Sequence, residues 1–266
     1  MSINDKYIDV HLHLQDKEYD TDRHNIILEA ENKHIDFMFC CSAHERDWEQ
    51  VAAMSEHYKS IIPFLGIHPW FVDKIEENWD KRLIDKAQKK HCGIGEIGLD
   101  RLLTRTSFAL QIEIFKKQLN IAKDLRKPVS IHCLSAYGYL LEIIKELKPI
   151  PEGSFIHSYS GSSEMIKQFA DLGLMFSYNG KALDEKSKRY AKNIKATGID
   201  ILLLETDSPF MMPQELEIKT GQSRNKPANL PVFAKEIAKL KSISPSELSS
   251  AAYDNSLRIL SAINNS

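Results

Sequence analysis

Short runs of β-branched and aromatic residues recur along the chain, separated by longer stretches whose apolar positions fall three and four residues apart. That alternation is the pattern of βα units around a parallel sheet. Eight such runs occur, near Tyr7–Val10, Ile35–Cys40, Ile61–Leu65, Gly93–Glu96, Val129–His132, Ser154–Ile156, Leu174–Ser177 and Ile201–Leu204. Eight strands point to closure, so the expected fold is α/β, a (β/α)8 TIM barrel with its chemistry at the carboxyl ends of the strands.

Between the fourth and fifth runs, Gln111, Phe115, Gln118, Leu119 and Ala122 recur at helical spacing and predict a long amphipathic helix over Ser107–Asp124. Ser244-Pro245-Ser246-Glu247 combines an N-cap, a proline at the first helical position and a reciprocal glutamate, the start of a last helix expected to complete the outer layer. Phe210–Pro227 is the longest stretch without a period, and it follows the last strand, where a loop covers the rim. No repeat beyond the βα unit and no Pro/Gly/Ser-rich linker divides the chain, so residues 1–266 are expected to form one domain.

Composition narrows the function classes. Hydrophobic residues at 42% and charged residues at 27% support a large buried core. A net charge of -2 offers no broad basic field for nucleic acid, so a polyanionic substrate has to be held locally, by metals and a few cations. Of the four cysteines, Cys40 and Cys41 are adjacent and Cys92 and Cys133 stand alone, which is neither a disulfide framework nor a zinc ribbon. With no apolar leader before Asp5 and no run of about eighteen apolar residues, a cytoplasmic protein with no membrane association is expected.

The first predicted strand ends in Asp9-Val10-His11-Leu12-His13. Alternate residues of a strand share a face, so both imidazoles can meet one ion, with Leu12 opposite and Asp9 two residues earlier as a partner that orients a ligand. Glu96, His132, His157 and Asp207 end four later strands. Burying each unpaired would cost roughly 2–7 kcal/mol even for a neutral polar group, and metal ions supply the missing partners. Four His, one Glu and one Asp suit two divalent ions, with Glu96 as the bridge. His11, His13 and Asp207 then complete one site, and His132 and His157 the other. A water shared between the ions becomes the nucleophile, and Asp207 accepts its proton, which makes Asp207 and Glu96 the catalytic pair.

These residues sit in DVHLHL, GIHPW, GEIGLD, HSYSGS, LLETDSP and RNKPANL, in that order. The chain resembles the TatD family of metal-dependent nucleases from about Tyr7 to about Ile259. The resemblance implies the barrel, metal ligands at His11, His13, Glu96, His132, His157 and Asp207, and magnesium-dependent exonuclease activity. Phosphodiester hydrolysis of single-stranded DNA or RNA, 3′ to 5′, is therefore expected. Zinc and manganese suit this donor set as well as magnesium does.

Two positions depart from the family pattern. Leu134 stands where the family carries an Arg after the fifth strand, and an Arg there suits a phosphate. Lys226 stands where the family carries a Glu, and Lys226 or Arg224 is expected to replace the lost phosphate contact. His68 in Gly66-Ile67-His68-Pro69-Trp70 either binds substrate phosphate or is a capped rim histidine, and Trp70 either stacks on a base or covers the barrel end. Glu205 and Asp100 read equally as partners of ligands or as structural groups. His24, His34, His44, His57 and His91 read as structural and away from the rim. Gly93-x-Gly95-x-x-Gly98 does not open a helix, so it is read as backbone accommodation rather than a dinucleotide fingerprint. A Gly-x-Ser-x-Gly frame is missing, which excludes a serine hydrolase elbow. Leu134 keeps open a second class: an amidohydrolase, lactonase or phosphoesterase for a small substrate at the same binuclear site. A binding protein that has lost activity is the third reading.

Overall fold

The computed structural model describes residues 5–266; the first four residues of the amino-terminal stretch lie outside them. Every β-rich run forms a strand: β1 (Tyr7–Leu12), β2 (Ile35–Cys41), β3 (Ile61–Leu65), β4 (Gly93–Asp100), β5 (Val129–Leu134), β6 (Phe155–Ile156), β7 (Met175–Tyr178) and β8 (Leu202–Leu204). They pair in sequence order, each parallel to the next. Helices α1 (Arg23–Glu31), α2 (Trp48–His57), α3 (Trp79–Lys89), α4 (Phe108–Asp124), α5 (Tyr137–Leu147), α6 (Ser163–Ala170) and α7 (Lys188–Ala196) follow the first seven strands. Three more, α8 (Gln214–Thr220), α9 (Leu230–Lys241) and α10 (Pro245–Asn264), follow the eighth. The chain is a (β/α)8 TIM barrel, as the alternation predicts.

Strand periodicity sorts the apolar residues into two cores. Ile8, Val10, Phe39, Cys41, Phe64, Phe155, Met175 and Leu203 fill the barrel. Met38, Cys40, Leu65, Ile131, Phe176 and Leu204 face outward, against the helices. The α4 helix buries the stripe its spacing predicts, Gln111, Phe115, Gln118, Leu119 and Ala122 among them.

Two expectations need correction. Phe210–Pro227 is not irregular throughout, because it contains α8, which buries Leu216 and ends at Gly221 in the left-handed region (φ 69°). Seven residues are too few for a periodic signal. The last helix starts at the predicted cap, where the Ser244 hydroxyl accepts the Glu247 N–H at 3.1 Å. Its first turns join the outer layer, with Leu248 and Ala252 in the outer core, but its later turns leave it. Its Ile259 and Ile263 pack with the barrel-interior cluster, and Asn255 donates to the carbonyls of Ile199 and Leu202 just ahead of β8 and at its start. Thus α10 crosses the amino-terminal mouth, where the inner layer of Ile8 and Phe155 would otherwise meet water. Among the described residues no helix is long and apolar enough to cross a membrane.

The seam between β8 and β1 is closed by their extensions. Asp207 N–H donates to the His11 carbonyl (2.9 Å), and His13 N–H donates to the Ser208 carbonyl (2.8 Å). The buried Asp9 carboxylate accepts the Thr206 N–H at 2.9 Å and its hydroxyl at 2.5 Å. Thr206→Val removes one donor from that carboxylate and is expected to destabilise the protein by about 1–3 kcal/mol. Urea denaturation measures this, and a change below about 0.5 kcal/mol, typical of an inconsequential surface substitution, would show that the seam does not depend on the contact.

Candidate metal centre

Simple alternation along the strands would misplace the central residues. On β1, Ile8 and Val10 lie in the inner core while Leu12 and Leu14 lie in the outer one, so the alternation inverts between them. The β1–β2 register slips at that point, between Asp9 and Leu12, and His11 and His13 turn inward. On β4, Ile94 and Ile97 both face the outer layer although three residues apart, with a second register slip between them. Glu96 faces inward only because of that slip. Bulges of this kind re-aim side chains next to functional sites. Glycine makes room for the β4–β5 approach: a Cβ on Gly98, whose φ is +152°, would lie 1.9 Å from the His132 carbonyl oxygen.

All six predicted ligands converge at the carboxyl end of the barrel. Glu96 is 3% exposed. Its Oε2 lies 3.3 Å from His11 Nε2 and 3.5 Å from His13 Nε2. The other oxygen, Oε1, lies 2.8 Å from His157 Nε2, 2.9 Å from His132 Nδ1 and 3.3 Å from His68 Nε2. Asp207, in the left-handed region at φ 57°, places Oδ1 3.5 Å from His13 Nε2. Three triads are compact enough to hold an ion: His11–His13–Asp207, His11–Glu96–His157 and His68–Glu96–His132. Sequence reasoning kept His68 out of the ligand set, whereas its ring reaches the same carboxylate.

The rings are held from behind. His13 Nδ1 donates to the Cys41 carbonyl at 2.8 Å, and His11 Nδ1 meets the Ser130 hydroxyl at 2.9 Å, so both Nε2 atoms face the carboxylates. His11 Nε2 is buried without a hydrogen-bond partner, the condition a metal ion relieves, and the imidazole–carboxylate donor set suits a divalent ion. His132 Nε2 lies 3.7 Å from Asp100 Oδ2, and His157 Nδ1 lies 3.7 Å from Glu205 Oε1. Glu205 is itself held by the Ser177 hydroxyl and the Asn179 amide. Asp100 and Glu205 therefore both stand behind rings of the cluster. Asp9 does not orient a ring, because the β1 slip turns it to Thr206 across the seam.

Burial opposes the charge of Glu96, but the facing imidazoles of His68, His157 and His11 outweigh it and hold the carboxyl well below its usual range. Burial likewise opposes protonation of His13, yet its contacts with Asp207 and Glu96 push it up to about 9. His157 rises for a similar reason, against its burial and toward Glu96. Burial prevails at His68, which falls to about 4, and at His11, which also falls. Without ions, raised imidazoles such as His13 and His157 stand as the positive partners of the lowered carboxyls of Glu96 and Asp207.

Above it opens a pocket of about 790 Å³ lined by His13, His68, Glu96, His132, His157 and Asp207 at its floor. Its walls carry Lys17, Arg46 and Lys74. None of the three forms a salt bridge among the described residues. Arg224 and Lys226 lie elsewhere: Arg224 donates to Asp22 at 2.6 Å and stands over the Tyr19 ring, and Lys226 donates to Glu29 at 2.6 Å. They line a separate pocket with Asn25 and Gln222, so the compensation expected of them is not made at the cluster. Sequence reasoning missed the three wall cations, although each follows one of the first three strands closely enough to have been found by position. It also set His44 away from the rim, whereas His44 lines this pocket and caps a turn by accepting the Arg46 N–H.

The signature of the family described as TatD related DNase matches residues 8–261. The chain is 30% identical over 254 residues to YabD of Bacillus subtilis, named as an uncharacterized metal-dependent hydrolase, spanning 94% of this chain and 97% of that one. It is 25% identical over 232 residues to the 3′-5′ ssDNA/RNA exonuclease TatD of Escherichia coli, spanning 86% and 89% of the two chains. Among solved structures, the TatD homologue YJJV of Escherichia coli superposes with a TM-score of 0.88 at 23% identity, covering 95% and 97%.

Metal loading of the stripped protein near neutral pH is expected to release protons, because ions displace those that His13 and His157 carry. Calorimetric titration in two buffers of different ionisation enthalpy measures the release. Identical heats in the two buffers would mean that these rings are not where the ions bind.

Proposed function

The chain belongs to the TatD family of metal-dependent hydrolases, and on that footing we propose that it is an exonuclease that hydrolyses phosphodiester bonds of single-stranded DNA or RNA from the 3′ end, using two divalent ions. The observation that carries the reading is the two-sided Glu96, with one oxygen toward His11 and His13 and the other toward His132 and His157. A carboxylate shared in this way would hold two divalent ions, with His11 and His13 toward one and His132 and His157 toward the other. The wall cations Lys17, Arg46 and Lys74 support a polyanionic substrate in a protein whose overall charge is slightly negative.

Divalent ions in the cluster supply a water of lowered pKa and positive charge for the phosphoryl oxygens. The protein's own groups do the rest. Asp207 borders the pocket with its side chain 14% exposed, and its carboxylate takes a proton from the attacking water and returns it to the leaving oxygen. His68 accepts the Trp70 N–H at Nδ1 (3.2 Å), so its neutral ring carries hydrogen on Nε2. Nε2 stands 3.3 Å from Glu96 Oε1, so its N–H is placed to donate to a phosphoryl oxygen brought beside that carboxylate.

Metal-supplemented protein is expected to shorten a 5′-labelled single strand stepwise, and to release the label of a 3′-labelled strand at once. Asp207→Asn should lower kcat by roughly 10²–10⁴. Intact strands after long incubation, together with turnover of a lactone or a small phosphoester, would replace this reading with the small-molecule hydrolase.

A further inference from the structure

Of the three tryptophans, Trp48 and Trp79 are buried and Trp70 is 44% exposed. Trp70 stands in the turn Pro69–Lys74 just past His68 and lines the pocket over the cluster. An indole left in water forgoes the gain of burial. This one is nevertheless held in place. Its Nε1–H donates to Asp100 Oδ2 at 2.8 Å, the His68 ring meets it edge-on at 5.1 Å, and the Arg105 guanidinium stands over it at 5.6 Å. Asp100 is itself buried, accepts the Leu102 N–H at 3.0 Å, and is the carboxylate facing His132. One fixed group thus sets both a ring of the cluster and the angle of the exposed indole.

A flat aromatic surface held beside reacting groups suits a ligand with a π-face, and every nucleobase has one. The adjoining wall supplies the rest of a strand site. Lys17, Arg46 and Lys74 follow β1, β2 and β3, while the carboxylates Asp16 and Asp47 in the same wall are turned to backbone N–H groups. We propose that Trp70 is the stacking platform for the nucleobase next to the scissile phosphodiester, and that the β1–β3 side of the rim, through Lys17, Arg46 and Lys74, is the track for the neighbouring phosphates. The proposal rests on the nuclease reading and adds where the strand lies and what distinguishes it from a base-free phosphodiester. It also explains how the chain manages with Leu134 after β5: the phosphate contacts are on the opposite part of the rim.

The test uses metal-loaded protein and a short thymidylate strand with phosphorothioate linkages, which resist hydrolysis. Because the other two tryptophans are buried, quenching of fluorescence on titration reports on Trp70. Saturable quenching is expected in the wild type, none in Trp70→Phe, and none with an abasic strand of equal length. In turnover of ordinary linkages, Trp70→Ala should raise KM for the thymidylate strand roughly 5- to 150-fold, the range of base–aromatic stacking, and raise KM for the abasic strand far less. Trp70→Phe, which keeps a ring, should fall between and guards against a folding defect. A wild type that cuts the strand without quenching overturns the platform and leaves the nuclease reading standing. Quenching without cleavage of any strand would overturn the nuclease reading and, with it, the placement of the stacked base beside a scissile bond. Equal rises in KM for both strands would make Trp70 a structural rim residue and overturn the proposal.

Discussion

A buried carboxylate dictates the arrangement of the barrel's carboxyl end. Glu96 is 3% exposed, and an ionised group in that position costs several kcal/mol unless it is paired. The apolar interior beneath it, Phe39, Phe64 and Leu203 among others, has nothing to offer it. Five imidazoles therefore converge on its two oxygens, drawn from β1, β5, β6 and the turn after β3. Imidazoles crowded together repel one another when protonated. Divalent ions would satisfy both needs, replacing protons as the positive partners and taking up the ring nitrogens.

Convergence of that kind needs loops held to fractions of an ångström, and the buried amides hold them. The stripe of α4 contains two glutamines where an apolar helix face would carry Leu or Ile. Gln118 accepts the N–H of Ile67 and donates to its carbonyl, fixing the peptide just before His68. Gln111 does the same for Asp100. On the far side, Asn225 donates to the Thr206 carbonyl and accepts from Asn229, tying the segment after β8 to the seam. Its neighbours Arg224 and Lys226 point outward and pair with Asp22 of the α1 entry and Glu29 of α1. The Asn225-Lys226-Pro227 segment is thus a structural clasp, and its cations are occupied.

Charge is divided accordingly. Some cations of the outer surface are matched, as in Arg82–Glu45 and Lys116–Glu146, while the three on the pocket wall stand without a carboxylate partner among the described residues. A chain with a net charge of -2 can therefore present a local positive arc beside a neutralised cluster.

The sequence alone determined the barrel and most of the cluster. Strand runs and helical stripes are local patterns, and a fold made of sequential βα units leaves little to long-range choice. A histidine, glutamate or aspartate ending one strand after another is legible for the same reason, because every strand end of a closed barrel points to one place. What needed the tertiary structure was everything that depends on register or on contacts distant in sequence. Bulges in β1 and β4 turn His11 and Glu96 inward, and strict alternation contradicts both. Asp9 meets Thr206, 197 positions away, across a seam that no local pattern announces. The helix α10 looks like any amphipathic helix until the open amino-terminal mouth gives its Ile259 and Ile263 a place to go. Lys17, Arg46 and Lys74 look like Arg224 and Lys226 on paper, and only the fold decides which cations find carboxylates and which remain free, since pairing is a matter of distance in space and not of residue type.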